Sequence, residues 1–169
     1  MKRFLALSLF FLSTATYAAT YNLQVLGSLS ANGDSRAEAL NDNGLVVGQS
    51  YNSSTGEQES VYWDGGGAQA LGVGGTARGV NNGGTIVGET KVLDTFPSNS
   101  YAYSYTVSGG IAMLGTLGGP GSAAYDINEA GTIVGYSFPT GGNLLESKAF
   151  IYESGVMTSL GTVSNPLGY

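Results

Sequence analysis

The chain predicts an all-β fold made of repeated four-stranded antiparallel units, and three observations carry that expectation. First, one motif is written three times. It reads Leu26-Gly27, Ala37, then Asn41-Asp42-Asn43-Gly44-Leu45-Val46-Val47-Gly48, and it returns around Asn81 to Gly88 and Asn128 to Gly135. The Asn marker recurs after 40 and then 47 residues, and the Leu-Gly marker after 45, 43 and 46. Second, glycine supplies 28 of 169 residues, beside abundant Ser, Thr, Asn and Tyr. Third, the apolar residues fall in short β-branched runs without the spacing of an amphipathic helix. Periods near 40–45 residues with four strands each are the pattern of propeller blades and related arrays.

The elements follow in chain order. Residues 1–18 read as a secretory signal: Lys2 and Arg3, an apolar run from Phe4 to Leu12, and small residues before a cleavage point at Ala19. That run is too short to span a bilayer. Tyr21 to Gly27 is expected as a leading strand, matching the Leu-Gly strand that closes each unit. A single β-repeat domain then covers 19–169, in units of approximately 28–72, 73–115 and 116–161.

Within a unit the first strand holds the Ala-containing segment, as in Ser122 to Asn128. A tight Asn-x-x-Gly turn follows, where Gly44, Gly84 and Gly131 supply the positive φ. The second strand is Leu45-Val46-Val47-Gly48, Thr85-Ile86-Val87-Gly88 or Thr132-Ile133-Val134-Gly135, apolar on both faces and suited to lie between sheets. Its glycine signals a bulge or a close backbone approach. Variable loops, Tyr51 to Gln58, Lys91 to Ser100 and Phe138 to Glu146, lead to the third strand: Ser60 to Trp63, Ala102 to Tyr105, or Ala149 to Tyr152. The fourth ends on Leu71, Leu114 or Leu160. Three complete units give a partial propeller or a compact multi-sheet array. The tail from Leu160 to Pro166 resembles the start of a further unit, which favours a truncated longer repeat protein, with self-association next.

The run from Leu114 through Ser137, with Lys148-Ala149-Phe150-Ile151-Tyr152 and Leu160-Gly161, resembles the unit of the HAF-family extracellular repeat proteins. The resemblance covers the mature chain, and the third copy is closest. It implies export and repeat architecture and brings no catalytic residues. The triplet that names the family, His-Ala-Phe, is here Lys148-Ala149-Phe150, and no copy keeps the histidine.

Composition narrows function. Without the signal, four basic residues (Arg36, Arg78, Lys91, Lys148) stand against twelve acidic ones, a net charge of −8. Scattered cations on so acidic a chain exclude counterion-release binding to nucleic acid and docking on anionic lipid. There is no cysteine and no histidine, so thiolate zinc sites and Ser-His or Cys-His nucleophile pairs cannot be assembled. The glycine-rich stretches precede no helix and read as turns, not phosphate loops. Asp42-Asn43-Gly44 offers too few oxygen ligands for calcium. No cofactor and no metal site are expected.

Carboxylate pairs alone can hydrolyse glycosides, and Asp42, Asp64, Asp126, Glu129 and Glu153 are the candidates. Asp42 and Glu129 share one turn position, and Asp64 and Glu153 share another, which places them on solvated turns. A non-catalytic secreted binding or surface-association module is therefore the leading expectation. A carbohydrate-active hydrolase or a ligandless remnant are the alternatives. The tentative ligand platform is Trp63, Tyr105 and Tyr152, aligned at one strand position. Packing between sheets is the favoured account of the same three rings, and a glycan or surface polymer is the partner class if they are exposed.

Overall fold

The structure, a computed structural model, describes residues 21–91, 100–141 and 146–161. The expected signal sequence lies outside the described residues, as do 92–99, 142–145 and the tail from 162. The described residues form eleven strands and no helix. They are β1 (Ser35–Leu40), β2 (Val46–Asn52), β3 (Glu57–Trp63), β4 (Gln69–Val80), β5 (Ile86–Lys91), β6 (Ser100–Thr106), β7 (Gly110–Gly115), β8 (Gly118–Ile127), β9 (Ile133–Pro139), β10 (Lys148–Glu153) and β11 (Val156–Ser159). Neighbouring strands pair antiparallel: β1 to β7 in order make one seven-stranded sheet, and β8 to β11 make a four-stranded one.

The long β4 explains the seven. Its first residues pair with β3, Ala70 opposite Val61, and its last residues pair with β5, Ala77 opposite Gly88. The fourth strand of one unit thus runs unbroken into the first strand of the next. Propeller-like closure is not found: no sheet closes on itself among the described residues. The two sheets are open, and their faces are buried by stacking. Two apolar layers do this. One joins Val47 and Leu71 to Ala77, Val80, Ile86 and Tyr103. The other joins Val87, Ala102 and Leu114 to Ala124, Ile127, Ile133 and Phe150.

Each repeated residue has a mechanical task in this stack. The turn asparagines cap their own turns, with Asn41 Oδ1 accepting from Asn43 N and Leu45 N at 3.1 and 2.9 Å. Their amide nitrogens reach the neighbouring unit: Asn41 Nδ2 donates to Asn81 O at 2.9 Å, and Asn81 Nδ2 donates to Asn128 O at 3.2 Å. The turns are closed by Gly44 N to Asn41 O at 3.1 Å, with Gly44 at φ 81°, where a side chain would be strained.

The recurrent glycine of the second strand is a bulge partner. In all three copies the ladder slips by one residue just after the Ala–Gly pair: between Ala37 and Ala39, Ala77 and Gly79, Ala124 and Asp126. The bulge turns a carbonyl oxygen (of Arg36, Thr76 or Ala123) into the space that a Cβ on Gly48, Gly88 or Gly135 would occupy. Glycine is required there because the opposing atom is backbone and cannot move aside.

Two further expectations are corrected. Tyr21 to Gly27 forms no strand, and Tyr21, Leu23 and Val25 are exposed. The first variable loop is shorter than Tyr51 to Gln58, since Tyr51 pairs with Gln58 and Asn52 with Glu57, leaving a hairpin of Ser53 to Gly56. The second and third loops lie largely outside the described residues.

Candidate functional site

A bulge pushes one residue out of the ladder and re-aims its side chain. Here the extra residues are Glu38, Arg78 and Tyr125, at the same place in three stacked units. They form a row across the stack. The Arg78 guanidinium lies 5.2 Å from the centre of the Tyr125 ring, in the geometry of a cation–π contact. Arg78 is also ion-paired to Glu89, which it contacts through both Nε and Nη2. Burial works to lower the Arg78 pKa, but the Glu89 hydrogen bond and charge outweigh it, so the guanidinium is held more firmly protonated than usual.

Next to this row stands a second one, from the residue that follows each bulge glycine: Gln49, Glu89 and Tyr136. The aromatic members cluster in the third unit. Tyr125 and Tyr136 have ring centres 5.6 Å apart and tilted by 59°, and Tyr136 meets Phe138 edge-on at 5.7 Å. Tyr125 is exposed and the other two are half-buried. The Tyr125 phenol is raised above its ordinary pKa, chiefly by burial and then by Tyr136 and Glu89, with Arg78 opposing. It is therefore a neutral hydroxyl, able both to donate and to accept.

A polar cleft of about 740 Å³ opens beside the strip, lined among others by Gln49, Tyr51, Glu57, Gln58, Glu89 and Lys91. Glu89 is the hinge between the two features, since it lines the cleft and fixes Arg78 over Tyr125. Gln58 contributes an amide whose Oε1 is buried and unpaired. Chemically, the ensemble offers aromatic faces for stacking, amides and hydroxyls for hydrogen bonding, and two cations, Arg78 and Lys91, with the carboxylates of Glu57 and Glu89 along a groove. No group of His, Cys, Asp or Glu able to hold a metal ion occurs among the described residues.

The sequence-derived platform is not assembled as an open surface. Trp63 is 1 % exposed and its Nε1 donates to Gly27 O at 3.3 Å, so its ring has no free face for a ligand. Tyr105 and Tyr152 are half-buried and pack on different apolar layers, Tyr105 beside the one containing Tyr103 and Tyr152 beside the one containing Phe150. The physical reason is strand alternation: the third strand lies in the interior of each sheet, and its large residues fill the layers on either side.

The candidate carboxylates are all exposed. Glu129 accepts from Asn82 N at 3.1 Å, Asp42 accepts from Asn82 Nδ2 at 2.9 Å, and Glu153 accepts from Thr132 Oγ1 at 2.8 Å. Asp126 bonds the adjacent Ile127 N at 2.9 Å, and Asp64 sits in the turn after β3. They serve turns. Sequence reasoning missed Tyr125, Tyr136 and Phe138. The available signal was the set of positions where the copies disagree, Glu38/Arg78/Tyr125 and Gln49/Glu89/Tyr136, beside positions where they agree. Comparison with protein-family models, with curated proteins and with solved structures gives no match, so this face is read from its own chemistry.

Proposed function

We propose that the protein is an exported, non-catalytic repeat protein that acts as a binding or surface-association module for a glycan or surface polymer. Export rests on residues 1–18 and on the resemblance to the HAF-family extracellular repeats. The scaffold in this reading is a compact multi-sheet array. The observation that carries the binding reading is the strip Tyr125–Tyr136–Phe138, with Arg78 stacked on one end and a polar cleft alongside. Aromatic rings present apolar faces that complement the C–H faces of sugars, while amides, carboxylates and a cation at the edge bond the hydroxyls. An extended polymer suits a groove that crosses several units better than a small molecule does. The net charge of −8 on the mature chain points to a neutral or cationic polymer rather than a polyanion.

The test is a glycan array probed with the full chain beside a panel of glycoside substrates. Binding without turnover is the expected result. Turnover that a single Asp→Asn change abolishes would replace this reading with the hydrolase, and silence in both assays would leave a remnant without ligand.

A further inference from the structure

The stack has two unlike ends. Between units, each trailing face offers a valine of the second strand, a small residue of the third and the closing leucine. Val47 and Val87 are 0 % exposed, and Leu71 and Leu114 are 7 % and 8 % exposed. In the last unit the same positions are open: Val134 is 40 % and Leu160 62 % exposed, and Ala149 is exposed where Ser60 and Ala102 are fully buried. Each leading face offers an alanine and a branched residue of the first strand. Ala77 and Ala124 are 0 % exposed, with Val80 at 9 % and Ile127 at 6 %, but Leu40 is 71 % exposed and Ala37 is exposed, while the third strand at this end is already covered, with Val61 and Trp63 buried and Trp63 Nε1 bonded to Gly27 O.

The polar edge has the same polarity. Donors run from each unit to the next: Asn41 Nδ2 to Asn81 O, Asn81 Nδ2 to Asn128 O, Asp42 N to Asn82 Oδ1 and Asn82 N to Glu129. At the trailing end Asn128 Nδ2 and the Glu129 N–H meet no acceptor among the described residues. At the leading end the Asn41 carbonyl and the Asp42 carboxylate have acceptor capacity left, where the equivalent Asn81 carbonyl and Asn82 side chain accept from the unit before.

We propose that these ends are the two halves of one interface and that the chain binds a second copy of itself head to tail, the Asn128 turn stacking on the partner's Asn41 turn. The occupant follows from continuity. The uncovered part of each end, its Asn turn and the strand beside it, lacks a neighbour of the kind the other end presents, so that Val134 would face the partner's Ala37 and Leu40 and donors would face acceptors. Such an interface is heterologous and propagates unless its rotation closes a ring. One contact departs from the internal pattern: Glu129 would lie beside the partner's Asp42, where Asn82 separates the two acidic turn positions within the chain. That like-charge contact weakens the junction.

Sedimentation of the full chain over a concentration series tests this. Association is expected for the wild type, and Leu40→Glu and Val134→Arg should each abolish it. Their equimolar mixture should form one-to-one complexes and nothing larger, because each variant keeps one working end. Glu129→Gln, which retains the acceptor for Asn82 N, should tighten wild-type association several-fold and shows the register even if a face variant folds poorly. A wild type that stays monomeric at every concentration overturns the proposal. So does association that survives both face variants, or unchanged or weaker association in Glu129→Gln.

Discussion

The two apolar layers of the stack are built on one plan and differ at Val80 against Ile127 and by two oxygen atoms. In the layer that joins Val47 and Leu71 to the second unit, Tyr103 meets the position of Ser60. In the layer that joins Val87 and Leu114 to the third unit, Phe150 meets the position of Ala102. Tyr103 Oη and Ser60 Oγ are both buried without a hydrogen-bond partner. Burial pushes the Tyr103 phenol far above its ordinary value, with the neighbouring Ser60 hydroxyl opposing the rise. The second layer carries no such burden. The backbone thus fixes which positions face inward, and it tolerates polar atoms there at a cost in stability.

What the layers share should dominate any attempt to tell them apart. Gly88→Ala and Gly135→Ala place a Cβ against the bulge carbonyls of Thr76 and Ala123, and against Tyr103 and Phe150 behind them. Each is expected to cost about 3 kcal/mol or more, read by urea denaturation, and a cost below about 1 kcal/mol would mean that the bulge is dispensable. Asn81 serves both layers, capping its turn and bonding Asn128 O while receiving Asn41 Nδ2 on its carbonyl. Asn81→Ala should cost about 2 kcal/mol, and Asn128→Ala, at the open end, about half of that.

Converting one layer into the other gives a smaller effect of opposite sign. Ser60→Ala with Tyr103→Phe removes two unsatisfied buried hydroxyls and should stabilise the chain by about 1–2 kcal/mol at neutral pH. The reverse pair, Ala102→Ser with Phe150→Tyr, should destabilise it by a similar amount. The smallest effect is on pH dependence. Because the folded Tyr103 pKa is raised, its contribution is complete below pH 10.0, the ordinary phenol value, and is lost as pH rises beyond it. Thermal melts at increasing alkaline pH should therefore fall more steeply for the wild type than for Tyr103→Phe.

Much of the fold was legible because its devices are local. The Asn-x-x-Gly turn, the β-branched run and the closing Leu-Gly each announce a strand end or a buried face, and the glycine of the second strand announced the bulge it accommodates. That Tyr21 to Gly27 forms no strand could not be read, because pairing depends on a partner strand that local sequence does not reveal. The run of β4 from Gln69 through Val80 joins what the spacing divides at Gly72, with Gly72 at φ 78° and a register shift there, from Ala70 opposite Val61 to Gly74 opposite Glu59. The site was the least legible. Trp63, Tyr105 and Tyr152 share a strand position, but their exposure depends on which sheet packs over them. Tyr125 and Tyr136 come together only through the bulge and the pairing of β8 with β9.

The placement of the binding face on this strip is the claim most open to a direct test. Using the polysaccharide that the glycan array returns, isothermal titration would compare the wild type with Tyr125→Ala/Tyr136→Ala and with Trp63→Phe. The double variant should lose at least about tenfold in affinity, on the order of 1–3 kcal/mol for two stacking rings, with its melting temperature little changed. Trp63→Phe should bind as the wild type does, even if it melts earlier. Full affinity in the double variant, with binding lost in Trp63→Phe, would contradict the account and return the platform to the third strand.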